Sequence, residues 1–137
     1  MSFTAQLKAF ETKAGARMDL VHRKVGAQIA QGIILMTPVD TGHARANWQA
    51  TFDQPANGEI AGNDPGGGQT VALTTAVAMS WDTAKGGSLF LTNKLPYIER
   101  LEEGWSGQAP AGMVRVTLLR FGDLVHSAAA DAKRERP

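Results

Sequence analysis

Cysteine is absent from this chain of 137 residues. Its absence excludes disulfide scaffolds, cysteine-ligated zinc sites, iron–sulfur clusters and thiol catalysis. An excess of one charge is also missing, because 14 Lys and Arg stand against 13 Asp and Glu, so the composition does not indicate nucleic acid or an anionic membrane as a partner. The longest strongly apolar run, residues 33–36, is far shorter than the ~20 residues of a membrane span, and the N-terminus has no signal-peptide pattern. We therefore expect a soluble chain that stays in the compartment where it is made.

The composition that is present is that of a globular domain. Hydrophobic residues make up 43% of the chain and charged residues 20%, which is close to ordinary soluble usage. The length suits a single domain over residues 1–137. The 15 glycines indicate long loops.

The first part of the chain, residues 1–36, is predicted to form one long helix over residues 4–36. Pro38 ends this helix, because the residue before a proline is pushed out of the helical conformation. A stripe this long has to be buried along its whole length, against the rest of the domain or against a neighbouring copy. Its apolar or small residues recur at three- or four-residue intervals, at Phe3, Leu7, Phe10, Ala14, Met18, Val21, Val25, Ile29, Ile33 and Met36.

A turn and an alternating segment follow the long helix. Residues 44–52 alternate between apolar and polar side chains, which predicts a half-buried strand. We expect Trp48 to be buried on the face that it shares with Ala46, Ala50 and Phe52. The turn formers before the strand are Pro38, Asp40, Thr41 and Gly42.

The rest of the middle region, residues 44–93, is predicted to hold a loop, a helix and a second strand. Residues 53–69 are rich in turn formers and have Ile60 as their only large apolar side chain, so we expect residues 54–68 to be mobile in the free protein. Residues 70–84 favour a helix with Thr70 as its N-cap, and residues 88–93 favour a strand.

The last region, residues 95–134, is predicted to contain a short helix and a closing helix. Residues 96–103 form the short helix, which Gly104 ends. Residues 109–134 form the closing helix, with Pro110 in its first turn. The expected fold class is therefore α+β, with a long N-terminal helix and a C-terminal helix packed on a small antiparallel sheet, and with a long Gly/Pro-rich loop.

Patterns of catalytic or metal-binding residues are not found. His22, His43 and His126 lack the spacing of a metal site, so we expect surface or boundary histidines that bind no metal. The glycine run 66–68 lacks the Lys and Ser/Thr of a phosphate-binding loop, and residues 104–107 miss the serine-hydrolase frame by one position. We predict no catalytic residue and no cofactor.

Large aromatic side chains in a polar stretch are the strongest candidates for a functional surface. Tyr97 and Trp105 flank Arg100 in a segment whose backbone is constrained by glycine and proline. Aromatic residues and arginine are frequent interface anchors, and the alternative is that both aromatics seal the core of this domain. Acidic residues in the same segment would then face cations of a neighbouring copy. The acids are Glu99, Glu102 and Glu103, and the candidate cations are Lys8, Arg17, Arg23 and Lys24.

Three strings of residues, in this order after a long amphipathic helix, resemble a known family. Residues 37–48 read TPVDTGHARANW, residues 91–106 read LTNKLPYIERLEEGWS, and residues 108–114 read QAPAGMV. Together they resemble the neck and tail-completion proteins of long-tailed bacteriophages, which join heads to tails and include tail terminators. The match covers residues 1–130, and it departs from the family at Lys94, where asparagine is common.

The resemblance implies an α+β fold, a ring of subunits (often six) and no catalysis. It implies a virion protein, assembled in the host cytoplasm, that completes the tail and joins it to the head. Its partners would be other copies of itself, the tail-tube protein and head-completion or connector proteins, with DNA only as passive cargo through the ring and no membrane.

The resemblance also assigns roles to single residues. Asp40 and Thr41 would fix the turn that Gly42 allows, and Gly104 would be a turn position. Arg45 would point off the strand toward a neighbour or toward Glu102 and Glu103. With Arg45 added to the residues chosen above for their chemistry, the expected subunit interface comprises Arg45, Tyr97, Arg100, Glu102, Glu103 and Trp105. The expected structural turns comprise Pro38, Asp40, Thr41, Gly42, Gly104 and Pro110.

Other functions remain open from the sequence. A minor tail protein of the same virion is the nearest alternative, and the motifs do not separate a tail terminator from a neck piece. From other classes, the rivals are a small enzyme that uses His43 with Asp40 and a DNA-binding accessory protein that uses the basic first helix.

Overall fold

The computed structural model describes residues 16–85 and 87–135 of the chain. Its helices and its two-stranded antiparallel sheet agree with the expected α+β class. Residues 4–15, the first part of the predicted long helix, lie outside the described residues. In chain order the elements are α1 (Ala16–Met36), α2 (His43–Ala46), β1 (Gln49–Phe52), α3 (Gly68–Met79), a 3-10 turn (Thr83–Lys85), β2 (Leu89–Thr92), α4 (Ile98–Glu102), α5 (Val114–Leu119) and α6 (Phe121–Glu135).

Helix α1 is the centre of the fold and packs against α3 and α6. Its first half forms an apolar cluster with α6, in which Val21 and Val25 contact Ala128 and Ala132. Its second half forms another cluster with Trp48, just before the sheet, and with the segment before α5. Burying one valine or isoleucine side chain stabilises a fold by roughly 1.5–3 kcal/mol. The buried members of the second cluster are Ala30, Ile33, Ile34, Trp48, Ala109 and Met113.

The predicted strand over residues 44–52 is wrong in its first half. Residues 43–46 form the helical turn α2, in which the Ala46 N–H donates to the Gly42 carbonyl over 3.1 Å. The strand β1 begins only at Gln49, so Phe52 is exposed and does not share one buried face with Ala46. The burial of Trp48 is confirmed, and its Nε1 donates to Thr37 Oγ1 over 2.9 Å.

The second predicted strand is confirmed as β2. It pairs antiparallel with β1, from Gln49 opposite Thr92 to Phe52 opposite Leu89. Ala50 and Leu91 are directly opposite and therefore share a face. Leu91 packs on that face against the second-half cluster of α1, which holds the sheet to the helices.

The middle helix is confirmed, but both of its ends differ from the prediction. It ends at Met79 rather than at residue 84, and it begins at Gly68, so Thr70 lies inside it. The N-cap residue is Gly67 rather than Thr70, and the Asp64 carboxylate accepts hydrogen bonds from the Thr70 backbone N–H and hydroxyl over 2.7 and 2.8 Å. The Thr70 backbone bond is the main cause that lowers the pKa of the Asp64 carboxyl.

The predicted closing helix over residues 109–134 is two helices. Arg120 leaves the helical conformation with φ −94° and ψ 9°, and it separates α5 from α6. The break has a packing reason, because Thr117 of α5 lies against Gly32 of α1 whereas Ala128 of α6 lies against the first half of α1. No helix in residues 16–85 and 87–135 combines the length and the apolar character that are needed to cross a bilayer.

Candidate functional site

The three strings of residues singled out in the sequence meet in space. The side chain of Gln108 binds both backbone groups of Val39: its Oε1 accepts from the N–H over 2.8 Å, and its Nε2 donates to the carbonyl over 2.9 Å. This clamp joins the turn after α1 to the segment after α4. A cleft of about 210 Å³ lies between them, lined by the turn from Pro38 to His43 on one side and by Tyr97 and Ser106 on the other.

The turn at residues 38–42 has the geometry that its residues predict. Gly42 has φ 89°, a left-handed conformation that favours glycine, and a Cβ there would overlap the backbone of Pro65. The Thr41 hydroxyl accepts the His43 N–H over 3.3 Å. Pro38 is buried, whereas Asp40 is exposed at the surface.

Arg45 does not point toward Glu102 or Glu103, which corrects the expectation for this residue. Its guanidinium donates to the carbonyls of Leu35 and Thr37 over 2.8 Å each and to that of Pro65 over 2.9 Å. The last carbonyls of a helix have no partner within the helix. Arg45 therefore ties the C-terminal end of α1 to the segment before α3.

Glu102 is likewise a structural residue, which corrects its assignment to a charged interface. Its carboxylate accepts the backbone N–H groups of Met113, Val114 and Arg115 over 2.9, 2.8 and 3.1 Å, and the Arg115 side chain over 3.1 Å. Burial opposes the charge, but these hydrogen bonds outweigh it and lower the pKa of the Glu102 carboxyl. Glu102 thus caps the N-terminus of α5 from a distant part of the chain.

Tyr97, Arg100 and Trp105 are on the surface beside this cap. Trp105 is 70% exposed and Tyr97 is 39% exposed, so Trp105 does not seal the core. The Arg100 guanidinium lies over the Trp105 ring at 5.1 Å from its centroid, within the range of a cation–π contact.

The backbone under these side chains is held in place. The Trp105 N–H donates to the Arg100 carbonyl over 3.1 Å. Gly104 has φ 90°, and a Cβ there would overlap the carbonyl of Pro110, so the segment after α4 lies directly on the segment before α5. Glu99 and Glu103 are exposed on the same segment. The exposed aromatic and arginine side chains therefore stand on a fixed frame.

The cations expected to face these acids are already engaged or lie outside the description. Arg23 forms an ion pair with Asp19 at 2.8 Å and donates to the Trp81 carbonyl over 2.7 Å. Lys24 pairs with Glu135 at 2.7 Å. Lys8 is outside the described residues, and the side chain of Arg17 is not described.

The histidines differ in environment. His22 is fully buried with its ring edge-on to Trp81 at 5.8 Å, rather than at the boundary as expected. His43 has its Nδ1 2.6 Å from the Gly62 carbonyl, so this nitrogen donates, and His126 is exposed. Among the residues that the structure describes, no group of three or more His, Asp or Glu side chains could hold a metal ion.

Sequence reasoning missed Asn47, which organises the loop after β1. Its Oδ1 accepts the Ile60 N–H over 2.7 Å, and its Nδ2 donates to the carbonyls of Ile60 and His43 over 3.0 and 2.9 Å. The only feature of the sequence that could have indicated this role is the position of Asn47 directly before Trp48, a residue expected to be buried. Such a clamp between residues 47 and 60 leaves no periodic pattern.

Comparison with known proteins adds no relative: no protein-family model matches this chain, and neither does any curated protein or any solved structure.

Proposed function

We propose that this chain is a structural virion protein of a tailed bacteriophage. In this proposal it forms an oligomeric ring, of six copies by the resemblance, at the junction of head and tail. The ring completes the tail and joins it to the head, with the tail-tube protein and head-completion or connector proteins as partners. DNA passes through the ring as cargo, and the chain has no catalytic role.

The observation that carries the proposal is the exposure of Trp105 on a fixed frame. The Trp105 side chain is 70% exposed although Arg100 lies over its ring. Its indole therefore leaves apolar surface that a partner can bury. Binding to a rigid frame loses little conformational entropy. The site lies where the three family-like strings of residues converge, around the Gln108–Val39 clamp.

The rival functions have less support. A DNA-binding role needs free cations on the first helix, but Arg23 and Lys24 are paired within the chain. An enzyme that uses His43 with Asp40 lacks support because Nδ1 of His43 is bonded to a backbone carbonyl and not to a carboxylate. A minor tail protein of the same virion uses the same kind of surface and remains the alternative.

The long Gly/Pro-rich loop has a place in the same proposal. Asn47 holds Ile60, and Gln49 Nε2 donates to the Gly58 carbonyl over 3.0 Å, so residues 58–60 are fixed to the sheet side of the molecule. Residues 54–57 have only exposed or half-buried side chains. The mobility expected for residues 54–68 is therefore narrowed, because the bonds at residues 58, 60 and 64 hold the rest of the loop. We propose that residues 54–57 move in the free protein and become ordered at a subunit contact.

The test compares a double variant with a control on another face. Arg100→Ala with Trp105→Ala should leave the melting temperature within a few degrees, because both side chains are exposed, but should abolish assembly on purified tails. Leu73→Ala, which truncates an exposed leucine on α3, should assemble normally. If the double variant assembles like the wild type, or if it melts far lower, the surface assignment is wrong.

A further inference from the structure

An apolar groove of about 420 Å³ lies between the sheet, the middle of α1 and the junction of α5 with α6. Pockets of roughly 300–1,000 Å³ are the size at which proteins bind ligands or side chains of a partner. Leu118 at its rim is 49% exposed, and Leu89, Leu91 and Phe121 are only half-buried. The walls and floor include Ile29, Trp81, Leu89, Leu91, Leu118 and Phe121.

The chain itself carries a segment with matching chemistry. Residues 1–15 lie outside the described residues and join α1 at Ala16. In this segment Phe3, Leu7 and Phe10 have the i, i+4, i+7 spacing of one helical face. Large apolar residues at this spacing are the anchors that amphipathic helices insert into grooves.

The segment is badly placed to reach the groove of its own chain. The floor of the groove is at residues 26–30, some 15–20 Å along α1 from Ala16 at the helical rise of about 1.5 Å per residue. The spacing of Phe3, Leu7 and Phe10 continues in phase with Val21 and Val25, which favours a helix that runs on in the same direction, away from the groove.

Both sides of the first half of α1 are also occupied. On one side lies the segment after α3. Arg23 of α1 donates to its Trp81 carbonyl over 2.7 Å, and its Thr83 hydroxyl donates to Asp19 of α1 over 2.6 Å. On the other side α6 is packed through Ala128 and Ala132. A chain that turned back at residue 15 could not pass along either of these two sides without displacing the segment that packs there.

We propose that residues 3–14 of one copy bind in the apolar groove of a second copy, with Phe3, Leu7 and Phe10 as anchors. Such a contact joins two different surfaces, and contacts of this kind close into rings when the rotation between copies allows it. The inference rests on the self-association in the proposed function, and it names the contact that links neighbouring subunits.

The absence of cysteine from the natural chain allows a direct test by cross-linking. Two differently tagged chains are mixed and oxidised, one with Phe10→Cys and the other with Leu118→Cys. Phe3→Cys and Leu7→Cys each replace Phe10→Cys in further experiments. The expected product is a disulfide-linked dimer that carries both tags. Leu73→Cys in place of Leu118→Cys is the control and should give none, because Leu73 is exposed on α3 outside the groove.

Two results would overturn this inference. One is that a third chain, made with both Phe10→Cys and Leu118→Cys, cross-links only within itself while the mixed single-cysteine chains do not. The other is no cross-link from any of the three N-terminal positions. Light scattering on the wild-type chain separates the two proposals. Assembly without cross-links refutes the groove contact alone, whereas a monomer at every concentration, with and without tails, refutes the ring as well.

A matched pair of substitutions gives an independent readout. Phe10→Asp should raise the concentration needed for assembly at least tenfold, because it places a charge among the anchors. Thr12→Asp adds the same charge two residues away, outside the spacing of the anchors, and should have a much smaller effect. Equal effects of the two variants would contradict the proposed anchor role of Phe10.

Discussion

Glu102 shows how a single side chain can serve a different purpose from the one that its neighbours indicate. It follows Glu99 in an acidic run, yet its carboxylate binds three backbone N–H groups at the start of α5. Arg45 is comparable, because its guanidinium donates hydrogen bonds to three backbone carbonyls of its own chain. Both were predicted as interface residues, because a sequence shows the charge of a side chain but not the distant backbone that it binds.

Glu102→Gln should lower the free energy of unfolding by about 1.5–3 kcal/mol, the range for hydrogen bonds to a charged group. Glu103→Gln is the control, because Glu103 is exposed on the same segment. Urea unfolding at pH 7 measures both. Equal losses for the two variants would mean that the carboxylate of Glu102 does not cap α5.

The same residue predicts a pH dependence. Because folding lowers the pKa of the Glu102 carboxyl, its contribution to stability is complete above the ordinary value of 4.5 and is lost as the pH falls through the lower pKa of the folded state. The difference in unfolding free energy between wild type and Glu102→Gln should therefore shrink below pH 4.5. A difference that stays constant down to pH 2 would contradict this assignment.

Arg45→Ala should lower the free energy of unfolding by about 1–3 kcal/mol and leave the assembled mass unchanged, because the lost bonds are within one chain. Arg120→Ala is a suitable comparison, since Arg120 is exposed at the break between α5 and α6. Thermal unfolding and light scattering report the two quantities. Loss of assembly without loss of stability would restore Arg45 to the interface.

At the scale of elements, the helices and strands with strong local patterns were predictable. The apolar stripe of α1, the middle helix and the strand β2 follow from periodicity and turn formers. Helix α2 was not predictable, because residues 44–52 alternate like a strand. In the structure the Ala46 N–H donates to the Gly42 carbonyl, which starts a helical turn. The break at Arg120 was missed for a similar reason: the apolar spacing continues through it, and only packing of Thr117 on Gly32 accounts for it.

Because α5 packs closely on α1, a glycine-to-alanine substitution should change the stability of the fold in opposite directions at two positions. Gly32→Ala should destabilise the fold although alanine favours helices, because the added Cβ would lie 2.9 Å from Thr117 Cγ2. Gly122→Ala in α6 meets no atom within 4 Å and should stabilise by up to about 1 kcal/mol. Chemical unfolding of both variants tests the contact, and a stabilised Gly32→Ala variant would show that α5 does not lie this close to α1.

At the scale of the whole molecule, the described residues leave several apolar side chains exposed, and two of the surfaces that they form bear on the proposed assembly. One is the exposed set Tyr97, Arg100 and Trp105, and the other is the groove rimmed by Leu118. A small domain that leaves both open has surfaces for more than one contact, as a ring subunit between two neighbours needs. The exposure of Tyr97 and Trp105 was predictable from their constrained polar segment, whereas the groove was not, because its walls come from distant parts of the chain.

Tryptophan fluorescence follows burial of the first surface. Trp105 should supply the part of the emission that acrylamide quenches readily in the free protein, since Trp48 and Trp81 are buried. Trp105→Phe should remove that part, and Trp48→Phe should retain it. On assembly the quenchable part should become protected in the wild type, and continued quenching in the assembled state would place Trp105 outside the contact.

The central claim, a ring protein that joins tails to heads, is tested most directly by electron microscopy of particles made without this chain. The proposal predicts that a tailed phage encodes the chain, and that this phage, with this one gene disrupted, yields filled heads and separate tails. Adding the purified wild-type protein should restore joined particles, and adding the Arg100→Ala, Trp105→Ala variant should not. Normal joined virions from the disrupted phage would contradict the account, and a complete lack of tails would instead indicate a minor tail protein required earlier in assembly.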